Sequence, residues 1–419
     1  MADINTILAQ LDETEAGVQD VKAAIVEMGG VLPSTDIALL GDGVRSIPVG
    51  GRPSAPVSDV NFYDYDGTIT HSYTTLEMQE LTALPPGPQH DDLIFDGWNW
   101  TLQELKDHHR PIEVGALFCT PDGATKIFYE VVSTLPFSAY FQTTLVAQSG
   151  TGFVCEVDWG DGSPVSVVDA TGSIAGHGVF HTYACVGSYI ISIRCTFGSY
   201  AFSSNPLVTG PPLTRNGVTK VYFGDNVWRA NGIGSLINVR HITFPSYLTN
   251  LSGGAAFNGC GLVHCNLPRV TFATNPGTLF DGCRLLQTVS LPPTFNALYG
   301  YIFRYVSYLQ RLTLPDSMTA IVASSFQTTS PYVSIRSFIV PASITTIGTT
   351  AFPQCGEVFF LGETPPALAS ASAFSAEASA IYYIPKGSMA AYQAGTNWGT
   401  AIAKVQEMDD DMMARFGLT

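Results

Sequence analysis

Positive charge is what this chain has least of. Nineteen Lys and Arg stand against 35 Asp and Glu in 419 residues, a formal net charge of −16. Nucleic acids and anionic bilayers are gripped by clustered cations, so neither is expected as a partner. Charge of either sign is thin at 13%, whereas hydrophobic residues reach 46%. That balance excludes a disordered chain and requires large buried cores. No apolar run has the length of a membrane span, so no membrane insertion is expected. The opening Met1-Ala-Asp-Ile-Asn5 has neither a basic leader nor an apolar stretch, and no secretion signal is expected from it. Eight Cys without a CxxC pair or a His cluster leave no zinc site, and neither metal nor cofactor is expected. Synthesis in a reducing cytoplasm implies free thiols.

Catalytic motifs are missing as well: there is no Gly-x-Ser-x-Gly elbow, no P-loop and no His-Glu-x-x-His. Asp64-Tyr-Asp66-Gly-Thr68 imitates the nucleophile loop of haloacid-dehalogenase phosphatases, where one Asp attacks phosphorus and both hold magnesium. That chemistry needs a Rossmann-like domain, a downstream Lys and further acids, which the next segment does not supply. The pair His108-His109 reads as a solvated polar turn. No catalytic residue is assigned, and the chain is not expected to be an enzyme.

What is present is a rhythm. Phe257, Phe280, Phe303, Phe326 and Phe352 are separated by 23, 23, 23 and 26 residues, and Pro245, Pro268, Pro292, Pro315 and Pro341 precede them by 11 or 12. Two residue types locked at such a period mark a stacked solenoid. Each unit predicts a short strand: Arg240–Phe244, Val263–Leu267, Gln287–Leu291, Gln310–Leu314 and Arg336–Val340. Alternation turns Ile242, Phe244, Cys265, Leu267, Val289, Leu291, Leu312, Leu314, Phe338 and Val340 inward. Proline then ends each strand, and phenylalanine returns to plug the space between coils. Cys260, Cys283 and Cys355 follow three residues after a repeat Phe and read as small buried hydrophobes. The alternate positions His241, Thr243, His264, Asn266, Thr288, Ser290, Arg311, Thr313, Ser337 and Ile339 face outward as a mostly polar ladder. It is either a binding face or a merely solvated one.

Phe338-Ile-Val-Pro341 through Ala351-Phe352-Pro-Gln-Cys355 resembles the BspA-like class of leucine-rich repeats, known from bacterial surface adhesins and phage tail proteins. Gly362–Leu368 and Ile381–Gln393 resemble that class's ending, a last strand and a capping helix, with Trp398 sealing the core. The coils of Phe303 and Phe326 depart from the pattern in lacking its Ala and Cys.

Further upstream, Ile4, Leu11, Val18 and Ile25 lie seven apart, with Ile7, Val21 and Met28 three residues after Ile4, Val18 and Ile25. These are heptad positions of a coiled coil, and β-branched residues at both kinds of site favour trimers; the alternative is an amphipathic helix packed on its own domain. Gly29-Gly30 and Pro33 end it. Phe62–Thr68, Leu81–Pro85, Gly97–Trp100 and Val114–Phe118 resemble a small module recurring in prophage-encoded repeat proteins. Trp98 and Trp100 are expected in its core, or else exposed in a carbohydrate site. Asp158-Trp-Gly-Asp-Gly162, His181-Thr-Tyr183 and Gly187-Ser-Tyr189 resemble a polycystic-kidney-disease (PKD) domain. Asp158, Asp161 and His181 are then turn and corner residues, with calcium at the two aspartates a weaker option, and Cys155 and Cys195 face each other across the sandwich.

The expected fold is thus multidomain and mainly β: 1–29 an oligomerisation helix, 30–56 a linker, 57–133 a small β-rich (α+β) module, 134–210 a PKD-like β-sandwich, 211–362 a leucine-rich-repeat solenoid, and 363–419 a helical cap and tail. These resemblances imply a non-enzymatic virion protein made in the host cytoplasm and acting outside the cell. It would be a homotrimeric tail-tip or fibre adhesin, joined to other tail or baseplate proteins through its N-terminus. Its repeats would bind a host surface glycan or protein. A purely structural baseplate or head component and a bacterial surface adhesin are the alternatives.

Overall fold

Two hairpin strands start the described chain, β1 (Val60–Tyr63) and β2 (Ile69–Tyr73). The computed structural model describes residues 60–419 except 109, 134–139, 149–150, 173–175, 203–216, 230–233, 249, 252–255, 271–276, 311, 327–334, 353–354, 375–380 and 419. The heptad residues Ile4, Ile7, Leu11, Val18, Val21, Ile25 and Met28, and the linker, lie outside the described residues. Residues 58–419 form one compact unit.

After the hairpin come α1 (Thr75–Glu80), β3 (Ile94–Trp98), α2 (Leu102–His108) and β4 (Ile112–Cys119). The sheet order is β2-β1-β4-β3, with β1 and β4 parallel. Both helices begin on the same device. Glu77 accepts the Thr74 backbone N–H while the Thr74 hydroxyl accepts that of Glu77, and Thr101 and Glu104 do likewise. Phe62, Met78, Trp98, Trp100, Leu105, Ile112, Val114 and Phe118 close the module's core. Both tryptophans are therefore core aromatics, which removes the carbohydrate-site reading: Trp98 donates to the Pro85 carbonyl at 3.0 Å.

Next follow β5 (Thr125–Val131), β6 (Tyr140–Ala147), β7 (Phe153–Asp158), β8 (Ser166–Asp169), β9 (His177–Thr182), β10 (Gly187–Gly198), β11 (Tyr200–Phe202), β12 (Val218–Tyr222), β13 (Val227–Arg229) and β14 (His241–Thr243). They build two sheets, β14-β12-β5-β10-β7-β8 and β13-β11-β6-β9. Expected boundaries shift here. β5 pairs with β10, so the small module ends before Thr125, and β12 and β13 complete the sandwich sheets although they fall in the expected solenoid. β14 is the first repeat strand, paired in parallel with β12. One sheet thus runs unbroken from sandwich into solenoid, because a parallel strand can be added to either edge without a change in side-chain alternation. Cys155 and Cys195 are direct partners on adjacent strands β7 and β10 of one sheet, not residues facing across the sandwich.

The solenoid continues through β15 (His264–Asn266), β16 (Thr288–Ser290), β17 (Ala297–Leu298), β18 (Ala320–Ile321), β19 (Ile335–Val340), β20 (Thr346–Ile347), β21 (Cys355–Phe360), β22 (Ala367–Leu368), β23 (Ile381–Ile384), α3 (Met389–Ala394), β24 (Val405–Glu407) and α4 (Asp410–Arg415). Two parallel columns result: the long strands, ending β19-β21-β23-β24, and a second column β17-β18-β20-β22 of two-residue strands. β23 and β24 extend the repeat sheet into the expected cap. Prolines act as foreseen. The carbonyls of Pro245, Pro292, Pro315 and Pro341 each accept an N–H three residues on, from Leu248, Phe295, Met318 and Ile344, which starts the turn out of the strand.

The rings form one internal stack. Phe257–Phe280, Phe280–Phe303 and Phe303–Phe326 sit 5.4, 5.6 and 5.5 Å apart, near parallel. At the 26-residue step the stack turns edge-on through Phe338, 5.5 Å from Phe326 and 5.7 Å from Phe352. Cys260 and Cys283 are buried, and the Cys283 thiol donates to the Phe257 carbonyl one coil back at 2.9 Å. The side chain of Cys355 lies outside the described residues. Trp398 is fully buried at the far end, against Phe360, Phe374 and Tyr392, with its indole N–H on the Pro366 carbonyl.

Candidate functional site

The polar ladder projects from the core as alternation requires, yet it does not reach water. Thr243, His264, Asn266, Ser290 and Thr313 are buried, and His241 and Thr288 are half-buried. Arg311 lies outside the described residues; Ser337 stands on β19 opposite Glu357, its side chain likewise undescribed. The cover is the small module, whose strand β4 lies across β15 and β16. An open binding ladder is thus corrected: the chain occupies that face itself.

The docking is built from hydrogen bonds that satisfy buried polar groups on both sides. Asn266 Nδ2 donates to the carbonyls of Tyr63, Asp64 and Ala116 at 3.1–3.2 Å. Asn99, fully buried, donates to the Leu267 carbonyl and the Ser290 hydroxyl at 2.9 and 2.8 Å, and accepts the Gly115 N–H at 2.7 Å. Ser290 donates to the Glu113 carbonyl, and the buried Glu113 carboxylate accepts the Thr313 N–H at 3.1 Å. Trp100 donates to the Leu291 carbonyl at 2.9 Å. At the rim Glu104 takes Arg269 in a two-point ion pair with both N–O distances 2.7 Å. His108 is buried against Trp100 with its Nδ1 3.1 Å from Asp316, which also pairs with Arg110; it is not the solvated turn residue expected.

His264 is the electrostatic centre of the contact. Tyr63 stacks on its ring at 5.1 Å, Gly67 backs onto it, and it bonds Thr288 and Asn266. Burial pushes its imidazolium pKa down to about 4. The Asp64–Thr68 loop is a turn on this face. Asp64 has its carboxyl pKa raised by burial, despite a hydrogen bond from the Tyr65 N–H and a 2.9 Å contact with His90 Nε2. Its carbonyl and N–H close the turn with Gly67 and Thr68. Among the described residues no cluster of His, Cys, Asp and Glu could hold a metal.

Further along, the outward residues Ile339, Phe359 and Tyr383 are covered by α4 and its flanks, with Phe416 5.1 Å from Phe359 and Met412, Met413 and Leu418 alongside. In the sandwich, the Asp158 and Asp161 carboxylates cap the backbone N–H of Gly160 and Ser163. Asp161 also meets His181 at 2.7 Å, and the His181 ring stacks on Trp159 at 4.8 Å. These are turn and corner roles. Partial burial tends to raise the Asp161 pKa, but hydrogen bonds from Ser163 and His181 hold it near 2.

With the strand face closed, exposed aromatic side chains lie elsewhere, Phe180 and Phe197 on the sandwich and a group of tyrosines on the solenoid among them. Tyr299, Tyr301, Tyr305 and Tyr308 fall within ten residues on the turn side; Tyr301 is 40% and Tyr308 54% exposed. The Arg304 guanidinium sits over the rings of Tyr301 and Tyr305, at 4.6 and 5.2 Å, while its Nε holds the buried Asp281 at 3.0 Å. Sequence reasoning passed over this patch, though four tyrosines in ten residues were a signal for it.

This geometry defines a leucine-rich-repeat solenoid that carries its own cover. Residues 234–358 match the BspA type leucine rich repeat region, in six copies. No curated protein matches the chain. Among solved structures it is similar to a leucine rich cell surface protein from Faecalibacterium prausnitzii, at 17% identity and a TM-score of 0.27, covering 49% of this chain and 64% of that one. A leucine-rich repeat protein from Bacteroides ovatus matches at 15% identity and a TM-score of 0.26, over 45% of this chain and 67% of that one. The chain thus spans less than two thirds of the first of these.

Proposed function

We propose that this chain is a non-enzymatic recognition protein of a phage virion, a tail-tip or fibre adhesin. In this reading residues 1–29 trimerise it and join it to other tail or baseplate proteins, and the PKD-like sandwich spaces the solenoid outward. The repeat domain then meets a glycan or protein of the host surface. The observation that carries the reading is that the polar ladder is used up internally while the Tyr301–Tyr308 patch stays open. Tyrosine with arginine and serine is the composition of adaptable recognition surfaces, since a rigid amphipathic ring gains contact area at little entropic cost.

The test uses the labelled full-length protein on a phage-sensitive and a resistant strain. Staining of the sensitive strain alone, lost in Tyr301→Ser/Tyr308→Ser at unchanged melting temperature, is the expected result. Staining of neither strain, with the protein found in the particle, makes it a structural virion component instead. A bacterial surface adhesin is the second reading, favoured by the BspA-type repeats; antibody labelling of uninfected producer cells supports it.

A further inference from the structure

Two of the thiols are placed to react with each other. Cys155 on β7 and Cys195 on β10 are direct partners in an antiparallel pair. Residues so paired carry Cα atoms about 4.5–5.5 Å apart on the same side of the sheet, inside the range a disulfide spans. Cys155 is fully buried, whereas Cys195 is partly open to solvent and also donates to the Phe197 carbonyl at 3.0 Å. The register slips immediately after Cys195, and such a bulge lets the strand adjust locally.

We propose that Cys155 and Cys195 form a redox-sensitive pair, thiols in a reducing compartment and a disulfide outside it. The oxidant is an external disulfide of the glutathione class. The Cys195 thiolate attacks one of its sulfurs, forming a mixed disulfide and expelling one external thiolate. Cys155, deprotonated in turn, attacks the Cys195 sulfur and expels the second. Two cysteine thiols are oxidised, one external disulfide is reduced to two thiols, and the two protons pass to those products. The order of attack follows from exposure, Cys195 being the partly open thiol and Cys155 the buried one; the adjacent thiol places Cys195 below its ordinary range, while Cys195 and burial push Cys155 up. Both strands sit in the sheet that runs on into the solenoid, so the bond would pin the middle of the arm. The inference stands whether or not the host-attachment reading does.

The experiment treats the folded full chain, with Cys119, Cys185 and Cys355 replaced by Ser, with oxidised glutathione, and maps alkylated peptides without reduction. A peptide joining Cys155 to Cys195, with Cys260, Cys265 and Cys283 still alkylated, is expected. Closing this loop should raise the melting temperature by about 5–10 °C. Cys155→Ser should instead trap glutathione on Cys195, and Cys195→Ser should leave Cys155 unmodified. Failure to recover the joined peptide, or a lasting glutathione adduct on Cys195 with Cys155 intact, overturns the proposal.

Discussion

At the scale of single residues, the repeat phenylalanines were legible because their period outlasts every local fluctuation in composition. Each of Phe257, Phe280, Phe303 and Phe326 sits where a ring of the next coil completes its packing. Removing one leaves a cavity that two coils share. Phe280→Ala should cost about 3–5 kcal/mol in urea unfolding. A less obvious position is Tyr305, in the left-handed backbone region at φ 58° where the equivalent repeat positions hold Gly259 and Gly282 at 66° and 73°. Tyr305→Gly should therefore stabilise the fold by up to about 1 kcal/mol, less whatever its ring gains over Arg304. His264 makes stability depend on pH. Its folded pKa, about 4, lies below the ordinary 6.5, so the unfolded chain binds the extra proton. Stability is full above pH 6.5 and falls as pH drops towards 4, by roughly 3 kcal/mol. A urea midpoint flat over that window, or one that His264→Gln leaves equally steep, would sink this assignment.

At the scale of elements, alternation correctly predicted which of the described side chains leave the core, and among the described residues strands occupy four of the five expected places, none being formed over 310–314. It could not say what lies beyond them. Outward means away from one core, and a second layer is a tertiary fact. A hint was present: Thr243, His264, Asn266, Thr288, Ser290 and Thr313 include no Lys, Asp or Glu, whereas solvated faces usually carry charge. Two-residue strands such as Ala297–Leu298 were invisible because periodicity needs more residues than they have. The module's seat on the ladder is tight. A Cβ at Gly115 would lie 2.5 Å from Asn266 Cγ, so Gly115→Ala should lose about 1–3 kcal/mol and open residues 60–124 to limited proteolysis. Asn99→Leu, which strands the Gly115 N–H, should lose a similar amount.

For the whole molecule, the continuous sheet β14-β12-β5-β10-β7-β8 ties sandwich and solenoid into one body. The sequence boundaries missed this because they followed changes in motif, while hydrogen bonding crosses them. Calorimetry should show sandwich and repeats melting together; two separate transitions would contradict a shared sheet. The proposed trimerisation by residues 1–29 predicts a trimer by light scattering with them and a monomer without them; a monomer in both cases contradicts it.

The seating of the module also bears on how such a chain can lengthen. It touches the coils of Thr243, Asn266, Ser290 and Thr313 in succession, each through its own bond or packed surface. Inserting or deleting a 23-residue unit among these would throw every later contact out of step. Beyond Pro315, Asp316 pairs with His108 and Arg110 of the module. Growth and loss of copies should therefore be confined to the coils between Asp316 and β19, ahead of the strands whose Ile339, Phe359 and Tyr383 are covered by α4, and kindred chains should differ in length there.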